Sequence, residues 1–305
     1  MRTAALGRQF PLVLNVSAGR HEISPEMAQT IGSAIRSAAA AGEIDWLAPA
    51  QAFDIPFAGD PDAVRAALRN VNDEWLLDVN VVSGTNRRKK LLVADMDSTI
   101  ICCECIDELA DMAGIKPKVA TITERAMRGE IDFPAALRER VALLQGLPVR
   151  ELDRVYRERV RLNPGARIMA ATMRAHGARS LLVSGGFTYF TSRVAVDAGF
   201  QENQGNSLLD DGAILTGKVG EPILGREAKL KAVEDAVARF GIAFDDALAI
   251  GDGANDLEMI RRAGMGVAYH ARPVVAAAAG CSISHGDLTT VLYLQGYRAE
   301  EFVSP

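Results

Sequence analysis

The sequence is poor in cysteine, in positive charge and in long apolar runs. It has 4 cysteines among 305 residues, too few for the disulfide frameworks of small secreted domains. Its 34 lysines and arginines are outnumbered by 39 acidic residues, which gives a formal charge of −5. Nucleic-acid-binding proteins usually carry a basic stripe instead. No apolar run approaches the roughly 20 residues of a membrane-spanning helix. We therefore expect a cytoplasmic protein that binds neither nucleic acid nor a membrane.

The bulk of the sequence has an ordinary globular composition. Hydrophobic residues make up 49% and charged residues 24% of the chain, which excludes a disordered or fibrous protein. At about 150 residues per domain, the length predicts two domains. The apolar run 11–14 is interrupted by Asn15 and is shorter than the roughly 7–15 residues of a signal-peptide core. We expect a strand there rather than a targeting segment.

Residues 1–88 predict a small α+β domain. Two helices are expected to begin at Pro25 and Pro61, where Ser24 and Asp60 can cap the free N–H groups of the first turn. The first helix is expected to continue to Gly42 and the second to Val71. Strands are predicted at 12–16, 43–47, 51–57 and 75–82. The resulting order, β-α-β-β-α-β, is typical of a ferredoxin-like fold.

From residue 89 the pattern changes to that of an α/β domain, expected to cover 89–305. Short apolar runs alternate with helical stretches, which predicts a Rossmann-like parallel sheet with helices on both faces. Ligands bind beyond the carboxyl ends of such strands, and Asp95, Ser184 and Asp252 each follow an apolar run. The segment 106–163 is too long for one crossover helix. Its charge and its content of helix formers predict a small helical cap inserted into this domain.

Two acidic segments follow predicted strands, at 95–99 and at 251–256. Carboxylates held close together repel one another, so a divalent cation is expected to neutralise them. Asp95 and Asp252 could supply the oxygen ligands of Mg²⁺. A surface turn is the alternative for the first segment. A calcium loop is the alternative for the second, although no glutamate stands at the position that such a loop requires.

Two further features favour an anionic ligand. Residues 184–188 follow a strand and open a helix, where free N–H groups and the helix dipole attract anions; a plain strand–helix turn could use the same glycines. Lys229 lies near the start of a helix, beside an apolar stripe formed by 230, 233, 237 and 240. The helix dipole disfavours a cation near the start of a helix. The position of Lys229 is easier to understand if its ammonium group faces an anion. A surface position is the alternative.

The four segments, in this order, resemble the four motifs of the haloacid dehalogenase (HAD) superfamily of phosphohydrolases. Residues 95–108, 122–129 and 137–141 resemble its phosphoserine phosphatase branch more closely, and the likeness extends over about 89–295. The resemblance implies a HAD-like fold and a Mg²⁺-dependent phosphatase that releases serine from the small molecule phosphoserine, the last step of serine biosynthesis. The N-terminal domain resembles, in pattern only, the ACT-like regulatory domains of bacterial members.

The resemblance also implies roles for individual residues. Asp95 would be the nucleophile that forms an aspartyl-phosphate, and Asp97 the general acid and base. Asp95, the backbone carbonyl of Asp97, and Asp252 would bind Mg²⁺, while Asp256 would orient the metal site or Lys229. The remaining assignments are the phosphoryl ligands Ser184, Gly185, Lys229 and Asn255, the ammonium and carboxylate ligands Glu104 and Arg140, and the apolar lid Met127 and Phe133.

Several alternatives stay open at this point. The same chemistry could act on another small phosphorylated amino acid or alcohol, including phosphoryl transfer to homoserine. A regulatory protein that only binds amino acids is opposed by the complete set Asp95, Asp97, Lys229 and Asp252. Arg140 could instead form a surface ion pair. The sequence does not decide the role of the N-terminal domain, whether the chain forms a homodimer, or what Cys102 and Cys103 do.

Overall fold

Two large sheets organise the chain, which the computed structural model describes over residues 10–19, 21–69 and 74–304. The first sheet is antiparallel, and its central strand β1 is paired with β4 and β5. Strands β2 and β3 both pair with β4. The strands are β1 (Leu12–Ala18), β2 (Ala40–Ala41), β3 (Asp45–Ala48), β4 (Ala52–Ala58) and β5 (Leu77–Ser83).

Helices α1 (Pro25–Ala38) and α2 (Pro61–Ala67) accompany this sheet. As predicted, Ser24 and Asp60 accept hydrogen bonds from N–H groups of the first turns. The prediction that α1 continues to Gly42 was wrong. The helix ends at Ala38 because the chain becomes extended at the next residue and pairs with β4 through β2. Val71, the predicted end of α2, lies outside the described residues.

The two faces of the antiparallel sheet differ in polarity. One face is apolar and packs on α1 and α2 through side chains that include Leu14, Val16 and Ile55. The opposite face carries a buried row of polar side chains, which we call the polar face: Asn15, Ser17, Asp54, Asp78 and Asn80. Several of these side chains bond to the C-terminal part of the chain. Asp78 accepts hydrogen bonds from the N–H groups of 284–286, and Asn80 both donates to and accepts from the backbone of Ser282.

The second sheet has six strands, all parallel, in the order β13-β12-β11-β6-β7-β8. This confirms the predicted α/β architecture. Because successive residues of a strand face opposite sides, Leu91 and Val93 pack on one face while Leu92 and Ala94 pack on the other. The strands are β6 (Leu91–Ala94), β7 (Arg179–Phe187), β8 (Glu202–Asn206), β11 (Ala247–Gly251), β12 (Met265–Tyr269) and β13 (Cys281–Ile283), and a two-stranded hairpin, β9 (Leu208–Asp210) and β10 (Leu215–Val219), follows β8.

Helices connect the strands of this sheet and supply the rest of its core. Four of them lie between β6 and β7 in the chain, within the region predicted to form a cap: α3 (Cys105–Met112), α4 (Lys116–Met127), α5 (Phe133–Ala142) and α6 (Arg150–Arg159). The others are α7 (Ala166–Ala175), α8 (Thr188–Ala198), α9 (Arg226–Phe240), α10 (Leu257–Arg262), α11 (Pro273–Ala276) and α12 (Thr290–Leu294). Across the described ranges, none of the helices is both long and apolar enough to span a bilayer.

Candidate functional site

A cavity of about 140 Å³ lies at the carboxyl ends of β6, β7 and β11. Asp95 directly follows β6, Asp252 directly follows β11, and Ser184 lies where the pairing of β7 with β8 becomes irregular. The parallel order of these strands brings together side chains that lie up to 157 positions apart, as predicted. Lining the cavity are Asp95, Asp97, Glu104, Ile106, Phe133, Leu137, Arg140, Ser184, Gly185, Gly186, Phe187, Asp252 and Asn255.

A buried lysine lies beneath the cavity between two carboxylates. The Nζ atom of Lys229 is 2.7 Å from Oδ1 of Asp95 and 2.6 Å from Oδ1 of Asp256. Burial alone would lower the pKa of Lys229, but the charges of Asp256 and Asp95 outweigh it and raise that pKa. Burial also raises the pKa of Asp95 well above its usual range, and the nearby Asp256 adds to this shift while Lys229 opposes it. Lys229 is therefore a buried cation, not the surface residue that its position on the helix could have meant.

Asp252 completes an acidic cluster with these two carboxylates. Ligand atoms of Asp95, Asp252 and Asp256 all lie within 4.8 Å of one another. Partial burial raises the pKa of Asp252 to about 6, with a further contribution from Asp256. The hydroxyl of Thr99 donates a hydrogen bond of 3.0 Å to Oδ1 of Asp252. Closely spaced carboxylate oxygens are hard ligands of the kind that Mg²⁺ prefers, so the donor set fits a divalent cation.

Asp97 is held in a different orientation, away from this cluster. Its Oδ1 accepts a hydrogen bond of 2.9 Å from the N–H of Cys105, and its Oδ2 accepts one of 3.0 Å from the hydroxyl of Ser184. Burial raises the pKa of Asp97 above its usual range. A Cβ atom at Gly186 would lie 2.8 Å from Oδ2 of Asp97, so a glycine is needed where the backbone passes this carboxyl group.

The cap side of the cavity carries one acidic and one basic side chain. The hydroxyl of Ser98 donates a hydrogen bond of 2.7 Å to Oε1 of Glu104. Although solvent reaches Glu104, partial desolvation of its carboxyl group raises its pKa to about 7, and the negative charges of Asp97 and Asp252 add to this shift. Arg140 forms no ion pair within 4.0 Å among the described residues, and burial lowers its pKa. The two side chains present opposite charges to the cavity.

The structure separates the two residues of the expected lid. Phe133 lines the cavity. Met127 does not, since its side chain is 57% exposed and its sulfur lies 3.8 Å from a guanidinium nitrogen of Arg272. The cysteines next to Glu104 also differ from one another. Cys102 is exposed, Cys103 is half-buried, and both are free thiols.

Three residues that support the site escaped the sequence analysis as functional candidates. Ser98 positions Glu104, and its positive φ of 57° is a conformation that a non-glycine residue rarely adopts. The hydroxyl of Thr99 positions Asp252. Asn206 bonds to the backbone at Gly185 and Leu224. Each of these contacts depends on tertiary structure, and no local spacing in the sequence signals them.

Comparison with known proteins places this fold and site in a class. Residues 92–261 match the family of haloacid dehalogenase-like hydrolases, and the chain belongs to this family. The Phosphoserine phosphatase of Albidiferax ferrireducens is 48% identical over 210 residues, which cover 67% of this chain and 89% of that protein.

Two solved structures resemble almost the whole chain. A HAD family hydrolase of Salmonella enterica serovar Typhi has a TM-score of 0.83 and 26% identity, and the match covers 93% of this chain and 97% of that one. The probable phosphoserine phosphatase of Vibrio cholerae, in its unliganded form, has a TM-score of 0.77 and 28% identity, with 98% and 94% of the two chains covered. Because 98% of this chain is covered, the match to the Vibrio cholerae protein extends over the antiparallel sheet as well.

Proposed function

We propose that this chain is a phosphoserine phosphatase, which hydrolyses O-phospho-L-serine to L-serine and phosphate. One observation carries the proposal. The cavity has a carboxylate paired with a buried lysine on its sheet side, and a carboxylate and a guanidinium on its cap side. The first pair suits a phosphoryl group, and the second suits the ammonium and carboxylate of an amino acid. The relatives named phosphoserine phosphatase support this assignment.

Asp95 is the nucleophile in this proposal. Lys229 favours the charged form of the Asp95 carboxylate, because an ammonium group 2.7 Å away opposes the rise in pKa that burial and Asp256 cause. One carboxylate oxygen attacks phosphorus, the bond from phosphorus to the serine oxygen breaks, and an aspartyl-phosphate forms. Asp256 holds Lys229 from the other side, at 2.6 Å, so the ammonium remains beside the reacting atoms.

Asp97 moves the protons in this proposal. Its raised pKa favours the protonated carboxyl group that must donate to the leaving oxygen of serine. The resulting carboxylate then takes a proton from the water that attacks the aspartyl-phosphate, so that phosphate leaves and Asp95 is restored. The hydrogen bonds from Cys105 and Ser184 fix the carboxyl group at the mouth of the cavity for both steps.

Mg²⁺ is the cofactor that fits the acidic cluster. Asp95, Asp252 and the backbone carbonyl of Asp97 would hold it, and Thr99 would orient Asp252 through its hydrogen bond. When bound, a divalent cation neutralises phosphoryl charge and draws the substrate towards the carboxylates. Burial, and after it the charge of Asp256, raise the pKa of Asp252 to about 6 in the protein alone, and a bound cation would favour the charged form of this carboxylate.

The remaining residues bind and enclose the substrate. Four of them bind the phosphoryl oxygens: Ser184, Gly185, Lys229 and Asn255. Glu104 binds the ammonium group and Arg140 the carboxylate of phosphoserine. Phe133 covers the cavity, and Met127 turns towards it when substrate is bound. Excluding water in this way strengthens the electrostatic interactions within the site.

We propose further that the chain divides near residue 88. The N-terminal unit, 1–88, is ferredoxin-like, a topology supported by the order β1-α1-β2-β3-β4-α2-β5, in which β2 has only two residues, and by β1 lying between β4 and β5. The phosphatase unit covers 89–305, with its cap at about 106–163. The four free cysteines support the cytoplasm as the location. The bonds from the polar face support a role for the N-terminal unit in stabilising the phosphatase unit, rather than in binding serine or forming a homodimer.

The substrate is tested by phosphate release from a panel of phosphomonoesters in the presence of Mg²⁺. We expect a preference for phosphoserine over phosphothreonine, sugar phosphates and an aryl phosphate. Equal rates on all of them contradict the substrate assignment, and transfer of phosphate to added homoserine contradicts hydrolysis. Asp95→Asn should abolish turnover, and near-normal turnover of this variant contradicts the mechanism.

Arg140 is tested with a neighbouring arginine as its control. Arg140→Ala should lower kcat/KM for phosphoserine by about 100-fold, since a charged hydrogen-bond partner contributes about 1.5–3 kcal/mol, and should affect the aryl phosphate much less. Arg138 lies on the same helix but is exposed and pairs with Glu221, so Arg138→Ala should leave both rates unchanged. Equal losses on both substrates for Arg140→Ala show that this arginine is structural.

The role of the N-terminal unit is tested on the intact chain. We expect that any serine binding measured by calorimetric titration is unchanged by mutations within residues 10–69. We also expect that the mass measured by light scattering is unchanged by mutations in this unit. Serine binding or a homodimer that depends on these residues contradicts the stabilising role.

A further inference from the structure

Asn206 joins two segments that border the cavity. It is the last residue of β8 and is 2% exposed. Its Nδ2 atom donates to the carbonyl oxygen of Gly185 at 2.8 Å and to that of Leu224 at 3.1 Å, and its Oδ1 accepts from the N–H of Leu224 at 2.7 Å. A buried amide with both of its atoms bonded in this way fixes the backbone around it.

The two segments are those that carry the phosphoryl ligands. Gly185 follows Ser184 in the irregular end of β7. Leu224 precedes Gly225, the N-cap residue of the helix that bears Lys229. Asn206 thus determines how far the Ser184 segment lies from the start of the Lys229 helix. It does not line the cavity and has no direct route to substrate.

The ring of Phe133 packs against two glycines of these segments, Gly185 and Gly225. A Cβ atom at Gly185 would lie 3.0 Å from Cζ of Phe133, and a Cβ atom at Gly225 would lie 3.2 Å from its Cδ1. The backbone of Gly225, with φ −111° and ψ −154°, is open to other residues, and the φ of Gly185 is not in the left-handed region. A methyl group at either position would therefore press on the ring, which would have to shift by a few tenths of an ångström.

The cap is held differently at its two ends. Its distant end is bonded to the hairpin, where the N–H of Gly146 donates to Leu215 and the N–H of Leu215 donates to Leu147. Near the cavity, the turn from α4 to Phe133 is open to solvent, as the exposure of Arg128 and Met127 shows. The exposed ion pair of Arg138 with Glu221 contributes little. The half-buried Phe133 ring, which lies against Gly185 and Gly225, is one of the contacts that join this end of the cap to the strand ends.

We propose that Asn206 is a positioning residue that sets Gly185 and Gly225 side by side as a seat for the Phe133 ring, and that this seat holds the cap closed over the cavity. The three residues Asn206, Gly185 and Gly225 form what we call the Phe133 seat. The proposal rests on the proposed function for its purpose, which is to enclose substrate. Its geometry, however, can be tested without any turnover.

The test is a double-mutant cycle read out by limited proteolysis with trypsin, scored at Arg140, which lies within helix α5 and faces the cavity, so that cleavage after it requires the cap to open. Gly225→Ala places a methyl group under the ring, and Phe133→Ala removes the ring. Each single variant should raise the rate of cleavage after Arg140 about tenfold. The double variant should also show about a tenfold increase, because a methyl group in the seat costs nothing once the ring is gone.

Two comparisons complete the design. Gly280→Ala is the matched control, since a Cβ atom there would meet only the carbonyl oxygen of Gly266, at 3.8 Å. The rate of cleavage of this variant should equal that of the wild type. Asn206→Ala should behave as Gly225→Ala does and be non-additive with Phe133→Ala. If Asn206→Ala does not fold, the cycle with Gly225→Ala decides the question.

A cleavage rate for Gly225→Ala within twofold of the wild type overturns the proposal, and so does an increase of about 100-fold in the double variant. The same cycle measured on kcat/KM, with whichever phosphomonoester the wild type hydrolyses, should show the same non-additivity. If the wild-type protein hydrolyses no phosphomonoester, the proposed function is contradicted. The proteolytic result still tests the Phe133 seat in that case.

Discussion

Replacement of Lys229 by methionine removes a buried charge while keeping a side chain of similar length. In the native protein the ammonium group lies within 2.7 Å of two buried carboxylates, those of Asp95 and Asp256. Removing one partner of a buried ion pair typically costs about 3–5 kcal/mol, because the charge left behind has no compensation. We expect Lys229→Met to lower the free energy of unfolding by about this amount near neutral pH, and to abolish phosphatase activity.

The loss should depend on pH in a definite direction. Burial and Asp256 already raise the pKa of Asp95 in the folded protein, and Lys229 opposes that shift. Without the lysine the folded-state pKa rises further above the unfolded value. The folded state then binds a proton more tightly than the unfolded state, so stability is gained as the pH falls through this range and lost as it rises. The deficit of Lys229→Met should therefore be larger at pH 8 than at pH 5.5.

Urea unfolding followed by circular dichroism, in the presence of EDTA, measures this deficit at the two pH values. Lys231→Met is the matched control, because Lys231 lies on the same helix but is 70% exposed and pairs with Asp235 at the surface; it should change stability by less than about 0.5 kcal/mol. If Lys229→Met unfolds within about 1 kcal/mol of the wild type at pH 8, or if its deficit does not change with pH, the electrostatic reasoning is refuted.

Three further predictions concern residues that hold the site in place. Ser98→Ala should raise KM for phosphoserine about fivefold with little change in kcat, since the loss of one hydrogen bond to Glu104 costs about 1 kcal/mol; steady-state kinetics that show a fall in kcat alone contradict this. Thr99→Val should raise the Mg²⁺ concentration for half-maximal activity by about tenfold, and an unchanged Mg²⁺ titration excludes a role in orienting Asp252. Asp78→Ala should destabilise the chain by about 2–4 kcal/mol in urea, because the N–H groups of Ser284, His285 and Gly286 lose their acceptor; a loss below about 0.5 kcal/mol contradicts this.

The elements that the sequence predicted well are those with a local signal. Four-residue apolar runs identify strands such as β6 and β11, and the rule that ligands bind beyond the carboxyl ends of parallel strands brings Asp95 and Asp252 together. The capping residues Ser24 and Asp60 identify the starts of α1 and α2, because each bonds to an N–H group within three residues of itself. Each of these features depends on residues within a few positions of one another.

The elements that the sequence did not predict depend on distant contacts. Gly42 was expected to end α1, but pairing of 40–41 with β4 outweighs the helix propensity of the alanines. Nothing near Asn206 indicates that its amide will bond to two other segments. The position and exposure of Met127 depend on the orientation of the cap helix α4. The sequence pattern does not specify that orientation.

The polar face of the antiparallel sheet has a consequence for synthesis on the ribosome. Its strands are made early, but the backbone groups that Asn80 bonds lie 202 residues further along the chain. At about 5–20 residues per second, this sheet waits roughly 10–40 s for its partner. An apolar face would be exposed to aggregation throughout that interval. A row of asparagine, serine and aspartate side chains can remain hydrated until the end of the chain is released.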